Sequence, residues 1–299
     1  MPIGSLDVIN NFPYQDIRDY YAKWYRPDLQ GIMIVGDINV DEMEAKLKKV
    51  FADVKAPVHP ANRIYYPVAD NQEPLIFIGT DKEIETPSIS FFFKSEAFPD
   101  SLKNTINYYG IQYMLSMGIS MLNSRLAEIR QQADPPFTGA SAGYGDFFVA
   151  KTKSAFGIDA SSKIGGIELA MKTILEEAER ARRFGFTETE YDRARANYLQ
   201  RVESAYNERE KMKNDTYVNE YISNFLDNEP MPGIEYEYAM MNKLAPNIPV
   251  TAINQVMQQL ITDNNQVVLL AGPEKEGLKY PTKEEITALL KPVSYTHLT

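Results

Sequence analysis

The order of strand-like and helix-like segments restricts the fold of this chain more than any other feature. From Ser88 to Lys94, the apolar residues Ile89, Phe91 and Phe93 recur at every second position, as in a strand with one buried face. The same reasoning predicts, in order, strands over 75–79 and 88–94, a helix over 102–131, strands over 137–149 and 152–160, helices over 164–178, 187–206, 211–226, 234–244 and 250–261, and a strand over 265–271. Strands and helices are grouped rather than alternating, which predicts an α+β fold of layered sheet and helices.

A proline-rich stretch divides the chain. Residues 55–71 contain Pro57, Pro60 and Pro67, which is typical of a connector. Before it, the pattern predicts a helix over 13–27, a buried strand over 31–36 and a helix over 37–51. We therefore predict domains at 1–56 and 57–292, with a tail at 293–299 that does not follow the preceding pattern.

Charge and residue types exclude several classes of function. The chain has 299 residues, a formal net charge of −10 and no cysteine. Phosphate contacts need clustered Lys and Arg, so the composition argues against a nucleic-acid partner. Without cysteine there are no disulfides, no thiolate catalysis and no Cys-based zinc sites. No run of about 18 apolar residues occurs, so we expect no membrane span, and the first eleven residues lack a signal-peptide pattern.

The histidines do not form a metal-binding pattern. His59 and His297 are the only two, and neither has a second histidine three to five residues away. A zinc hydrolase needs two or three ligands at defined spacing and a base that activates water. The motifs HExxH and HxxEH are both absent, as are the phosphate-binding glycine motifs. We predict no catalytic residue and no metal ligand in this chain.

The densest glycine cluster lies in residues 137–145. Within it, Gly139, Ser141, Gly143 and Tyr144 are candidate peptide-binding residues, because small residues let an extended peptide approach the strand closely. The alternative interpretation is structural: glycines in a strand also mark a β-bulge.

Several short motifs occur in an order known from one family. The first group is Pro2-Ile3-Gly4, Tyr20-Tyr21, Trp24-Tyr25-Arg26-Pro27-Asp28 and Ile34-Val35-Gly36-Asp37-Ile38. The second group is Met121-Leu122-Asn123-Ser124-Arg125-Leu126, Pro136-Phe137, Ala140 to Tyr144, Gly185-Phe186-Thr187 with Glu190 and Arg193-Ala194, and Val267 to Pro273. Residues 2–273 thereby resemble the pitrilysin/insulinase-type zinc metallopeptidases. The first group is similar to the end of the family's first domain, and the second group to the next, so-called inactive, domain.

The resemblance implies a role without catalysis in this chain. In the family, two homologous halves enclose a chamber, each half has two α+β domains, and the zinc motif HxxEH lies upstream of the segment that Pro2-Ile3-Gly4 resembles. The resemblance therefore implies that residues 1–56 are the remnant of the zinc-bearing domain and 57–292 the non-catalytic second domain. Such a chain forms chamber wall and peptide-binding surface, is inactive alone, and belongs to an enzyme whose zinc lies elsewhere.

The same resemblance implies partners and a compartment. The expected partners are a peptide substrate and the remaining domains or a homologous half of the peptidase, and a bacterial periplasm or envelope is the favoured location. The alternative is a non-catalytic subunit or binding module that pairs with a separate HxxEH-bearing subunit.

Overall fold

The computed structural model describes residues 4–290, which pack as two compact units. Unit 1 comprises residues 4–64 and Lys211–Met231, and unit 2 comprises Tyr65–Glu210 and residues 232–290. The break after Ile64 falls within the proline-rich stretch 55–71, and the sequence did not predict that 211–231 belongs to unit 1. The assignment of 1–56 to a zinc-bearing domain stays a prediction. The expected tail at 293–299, with His297, lies outside the described residues.

Helices and strands occur in separate groups along the chain, as the sequence predicted. The helices of the described residues are α1 (Leu6–Asn11), α2 (Tyr14–Trp24), α3 (Val40–Val50), α4 (Ile106–Arg130), α5 (Ile167–Phe184), α6 (Glu188–Asn207), α7 (Asn214–Asp227), α8 (Ile234–Leu244), α9 (Val250–Leu260) and α10 (Lys283–Leu290). The strands are β1 (Leu75–Asp81), β2 (Ser88–Glu96), β3 (Gly139–Asp146), β4 (Lys153–Ser161) and β5 (Gln266–Pro273). The α+β prediction is confirmed.

All five strands form one sheet in unit 2, in the order β1-β5-β2-β4-β3. β1 pairs parallel with β5, and the other neighbours are antiparallel. The predicted hairpin of β3 and β4 is present. β1 and β3 are therefore the two edge strands.

The two faces of the sheet differ in what covers them. Ile89, Phe91 and Phe93 of β2 project into the main core, on the side of the sheet where β2 contacts α5. The residues between them, Ser90 and Phe92, are only partly buried and point to the opposite side, because side chains alternate along a strand. We call this opposite side the open face.

The predicted helix boundaries shift by a few residues, and α1 and α10 were not predicted. The signal for α10 is present in the sequence as Thr282-x-x-Glu285 before an apolar stripe. The Glu285 N–H donates to the Thr282 hydroxyl at 3.2 Å, and the Thr282 N–H donates to the Glu285 carboxylate at 2.7 Å. This is a reciprocal helix cap, of the kind that the sequence did predict at Thr187 and Glu190 for α6.

Unit 1 has helices without a core. None of α1, α2, α3 and α7 contains a buried residue. The predicted buried strand over 31–36 is wrong for this structure, since residues 31–35 adopt no regular structure and Ile32 and Ile34 are 54% and 41% exposed. A strand needs a neighbour for its backbone hydrogen bonds, and the described part of unit 1 contains no strand.

An ion pair joins α4 to the start of α6. Arg125 donates from Nε and Nη2 to the two carboxylate oxygens of Glu190, at 2.6 and 3.0 Å, and from Nη2 to the Gly185 carbonyl at 3.0 Å. Glu190 also accepts from the Thr187 N–H in the helix cap. Burial alone raises the pKa of Glu190, but the hydrogen bonds from Arg125 and Thr187 outweigh it and lower this pKa to about 2.

We expect Glu190→Gln to cost about 2–3 kcal/mol of unfolding free energy at pH 7, because the ion pair with Arg125 is lost, whereas the Gln amide oxygen can still accept from the Thr187 N–H. The folded-state pKa lies below the unfolded value near 4.5, so the contribution of Glu190 is complete above that pH. It declines as the pH falls toward 2, and the wild type and the variant then converge. Urea unfolding across this pH range measures the difference, with exposed Glu128→Gln as control. A difference that stays constant down to pH 3 would contradict the assignment.

We expect the purified chain to self-associate, because apolar groups of unit 1 are exposed. Replacing Ile32 and Ile34 together by Ser reduces the mean mass measured by light scattering after gel filtration. The control is Ile164→Ser, which removes a half-exposed isoleucine from unit 2. A wild-type chain that elutes as a monomer would show that the exposed apolar groups of unit 1 do not cause self-association.

Candidate functional site

The four candidate residues from the glycine cluster all lie on the edge strand β3. Their register with β4 is continuous, from Gly139 opposite Ser161 to Asp146 opposite Ser154, with one residue facing one residue throughout. A β-bulge places two residues opposite one. The bulge interpretation of the glycines is therefore wrong.

Nothing in the fold of unit 2 requires glycine at three positions of β3. A Cβ built on Gly139, Gly143 or Gly145 meets no atom within 4 Å, and none of the three has a positive φ. Ala142 is buried toward the helices, and the glycines lie an odd number of positions away from it along the strand. They therefore lie on the open face, together with exposed Ser141. Glycine weakens a strand relative to residues with side chains. The bare surface is thus available to a molecule outside this chain.

Tyr144 does not join this bare surface. It lies opposite Phe156 and packs against the main core, and its hydroxyl is 3.4 Å from the Ser95 hydroxyl. The structure therefore brings Gly139, Ser141 and Gly143 together on the open face and places the Tyr144 side chain on the helix side. The alternation from Gly143 to Tyr144 along a strand would have indicated this from the sequence.

Asn123 of α4 occupies the middle of the outer edge of β3. Its side-chain amide donates to the Ala142 carbonyl at 3.0 Å, and its oxygen accepts from the Ala142 N–H at 2.7 Å. Backbone groups of an antiparallel strand point alternately to its two sides. From this alternation we infer that the backbone groups of Tyr144 and Asp146 also point to the outer edge. The part of this edge beyond Ala142 is therefore where a further strand can pair.

Three phenylalanines lie at the hairpin end of the open face. The Phe92 ring is 5.9 Å from that of Phe147 and 5.3 Å from that of Phe148, measured between centroids. Phe148 is exposed and has a φ of 54°, in the left-handed region that bulky residues rarely occupy. Such a conformation costs about 1–3 kcal/mol.

The connector to unit 2 is held beside these rings by two buried lysines. Lys94 donates to the Ala69 carbonyl at 2.5 Å, and burial lowers the pKa of this lysine. Lys153 pairs with Asp70 at 2.9 Å and also with Glu96. These contacts fix the chain after residue 65 against the ends of β2 and β4, and so limit the open face on this side.

The described residues provide no metal site. Within residues 4–290, no three or more His, Cys, Asp or Glu side chains are placed to hold a metal ion. His59 is exposed in the connector. This donor set does not fit zinc, so no catalytic step is derived through a metal on this chain. In the same part of the chain, no helix is both long and apolar enough to cross a membrane.

The fold agrees with what comparison with known proteins finds. The family model described as "Peptidase M16 inactive domain" matches residues 11–198. The chain belongs to this family of zinc proteases, as the motif order predicted.

The most informative relatives are much longer than this chain. A protein of Arabidopsis thaliana described as "Zinc protease PQQL-like" is 27% identical over 275 residues, which are 92% of this chain and 25% of the relative. "Probable zinc protease PqqL" of Escherichia coli is 23% identical over 260 residues, 87% of this chain and 27% of the relative. The chain thus spans about a quarter of the length of these curated relatives.

Solved structures show the same fold. The crystal structure of the periplasmic protease PqqL from Escherichia coli superposes with a TM-score of 0.82 at 22% identity, over 97% of this chain and 32% of that one. The structure of the first half of the same protease gives a TM-score of 0.79 at 21% identity, over 97% of this chain and 61% of that half.

We expect Gly143→Val to leave the unfolding free energy unchanged or to raise it by up to about 1 kcal/mol, since the added side chain meets open space and favours a strand. Gly272→Ala, in contrast, places a Cβ 2.3 Å from the Tyr280 hydroxyl and loses about 1–3 kcal/mol. Parallel urea unfolding of the two variants tests this. A strongly destabilised Gly143→Val would mean that this glycine serves the fold itself.

Proposed function

We propose that this chain is the non-catalytic part of a zinc metallopeptidase, in which it forms chamber wall and holds peptide. The proposal rests on the edge strand β3. No contact within the fold requires its outward-facing residues to be glycine. An extended peptide pairs with the outer edge beyond Ala142 through backbone hydrogen bonds. Gly143 and Gly145 let its atoms approach the sheet closely.

The zinc and the water-activating base come from another part of the enzyme. The zinc-protease family and the relatives support this, and the described residues offer no competing donor set. What this chain supplies is binding: it fixes the peptide backbone so that the scissile bond is presented to a site elsewhere.

The exposed apolar groups of unit 1 support a covering partner. Ile32 and Ile34, together with the tyrosines of α2, are exposed. We propose that the remaining domains of the peptidase cover them and that residues 31–35 pair there as a strand. A periplasmic or envelope location fits the relative from Escherichia coli, whose structure is described as that of a periplasmic protease.

The test is made in the full-length enzyme that contains this chain. Gly143→Trp fills the bare surface and should lower kcat/KM for an internally quenched peptide at least about tenfold, mainly by raising KM. Zinc content and thermal stability stay unchanged. The control is Leu169→Trp, an exposed position on α5 in the helix layer. An unchanged kcat/KM for Gly143→Trp would overturn the peptide-binding role.

A separate-subunit arrangement remains the second candidate, favoured by the uncovered surface of unit 1. In that case, the purified chain restores cleavage when it is mixed with an HxxEH-bearing subunit encoded by a separate gene. If the HxxEH motif lies in the same reading frame, the single-chain enzyme is the correct form. In both arrangements the isolated chain cleaves no peptide and binds no stoichiometric zinc.

A further inference from the structure

Three phenylalanine rings form a cluster on the open face of the sheet. We define the aromatic cluster as Phe92, Phe147 and Phe148. Their centroids lie 4.7 to 5.9 Å apart, and Phe148 is 59% exposed. Neighbouring Val149 is 96% exposed, so the tip of the hairpin presents an apolar surface to solvent. The folding of unit 2 does not account for this exposure, since burying these groups would be favourable.

Between this cluster and the outer edge of β3, two positions of the sheet are glycines and carry no side chain. Phe92, Gly157 and Gly143 stand in one row across β2, β4 and β3. The Phe92 ring leans over Gly157, where a Cβ would come within 3.3 Å of two ring carbons. Strands lie about 4.8 Å apart, so the Phe92 backbone is roughly 10 Å from the backbone of the edge strand. Neither Gly157 nor Gly143 adds a side chain to this row, so the Phe92 ring lies over Gly157 and Gly143 is left bare.

The cluster also lies next to the part of the edge that is available for pairing. Asn123 occupies the backbone groups of Ala142, which leaves those of Tyr144 and Asp146 for an added strand. Phe147 directly follows Asp146. A peptide that pairs there places every second side chain on the open face, beside Gly143 or Gly145.

We propose that the aromatic cluster is a specificity subsite that binds one large apolar side chain of the peptide paired with β3. This inference rests on the proposed peptide-binding function and names the side chain that the surface selects. Rings in offset and edge-to-face arrangements offer favourable contacts to an aromatic or long aliphatic group. A cationic side chain is disfavoured, because Lys94 Nζ already lies 5.9 Å from the centroid of the Phe147 ring.

The experiment measures peptide binding to the 299-residue chain by fluorescence anisotropy. Three capped, labelled nine-residue peptides differ only at the central position, which is Phe, Ser or Lys. The Phe peptide should bind about tenfold more tightly than the Ser peptide, and the Lys peptide no more tightly than the Ser peptide. In Phe148→Asn, the Phe-to-Ser ratio should fall to about twofold or less. Asn tolerates the left-handed backbone, so the hairpin keeps its conformation.

The matched control is Phe184→Asn. Phe184 is 60% exposed at the end of α5, in the helix layer, and its replacement should leave the tenfold preference unchanged. A second variant, Phe92→Leu, alters the base of the cluster and should also weaken the preference for the Phe peptide over the Ser peptide. Circular dichroism of each variant checks that the fold is kept.

The outcomes separate this inference from the function on which it rests. Equal binding of the Phe and Ser peptides by the wild type would overturn the subsite and leave the peptide-binding surface standing. Failure of every peptide to bind would overturn both. A preference that persists unchanged in Phe148→Asn and Phe92→Leu would place the selectivity elsewhere and overturn the assignment of the cluster.

Discussion

Helices cover one face of the sheet in unit 2, and most other features of this unit depend on that asymmetry. Ile89, Phe91 and Phe93 bury one side of β2, whereas Ser90 and Phe92 of the same strand reach the open face. The helices of unit 2 pack on one side of the sheet, and the other side keeps apolar groups such as Phe92 only partly covered. Under the proposed function, this side holds a rigid surface toward a peptide while the helices behind it supply the stability.

The segment around Asn123 shows how the helix layer also shapes the edge strand. Leu122 and Leu126 of α4 are buried in the core, Asn123 bonds the backbone of Ala142, and Arg125 reaches the start of α6. A free strand edge invites uncontrolled pairing. By occupying one pair of backbone groups, Asn123 restricts any added strand to the part of β3 near the hairpin.

The features of the fold that depend on local sequence patterns could be predicted from the sequence. The two-residue period of β2 and the cap of α6 at Thr187 and Glu190 both occur as expected. The sequence did not predict what depends on distant partners: residues 31–36 have the composition of a buried strand, yet form none where no strand lies beside them. Likewise, no local signal in the sequence indicated that Asn123 would reach Ala142, nineteen positions further along the chain.

Under the proposed function, this chain influences the reaction by binding the peptide. Contacts that are equally strong in the ground state and the transition state lower KM without raising kcat. A surface that only holds the peptide backbone would act in this way. Under the proposed function, a subsite for one side chain would also fix the register of the peptide along β3, and register would decide which bond reaches a zinc held elsewhere in the enzyme. We therefore propose that the aromatic cluster selects the cleavage position without contacting the reacting atoms.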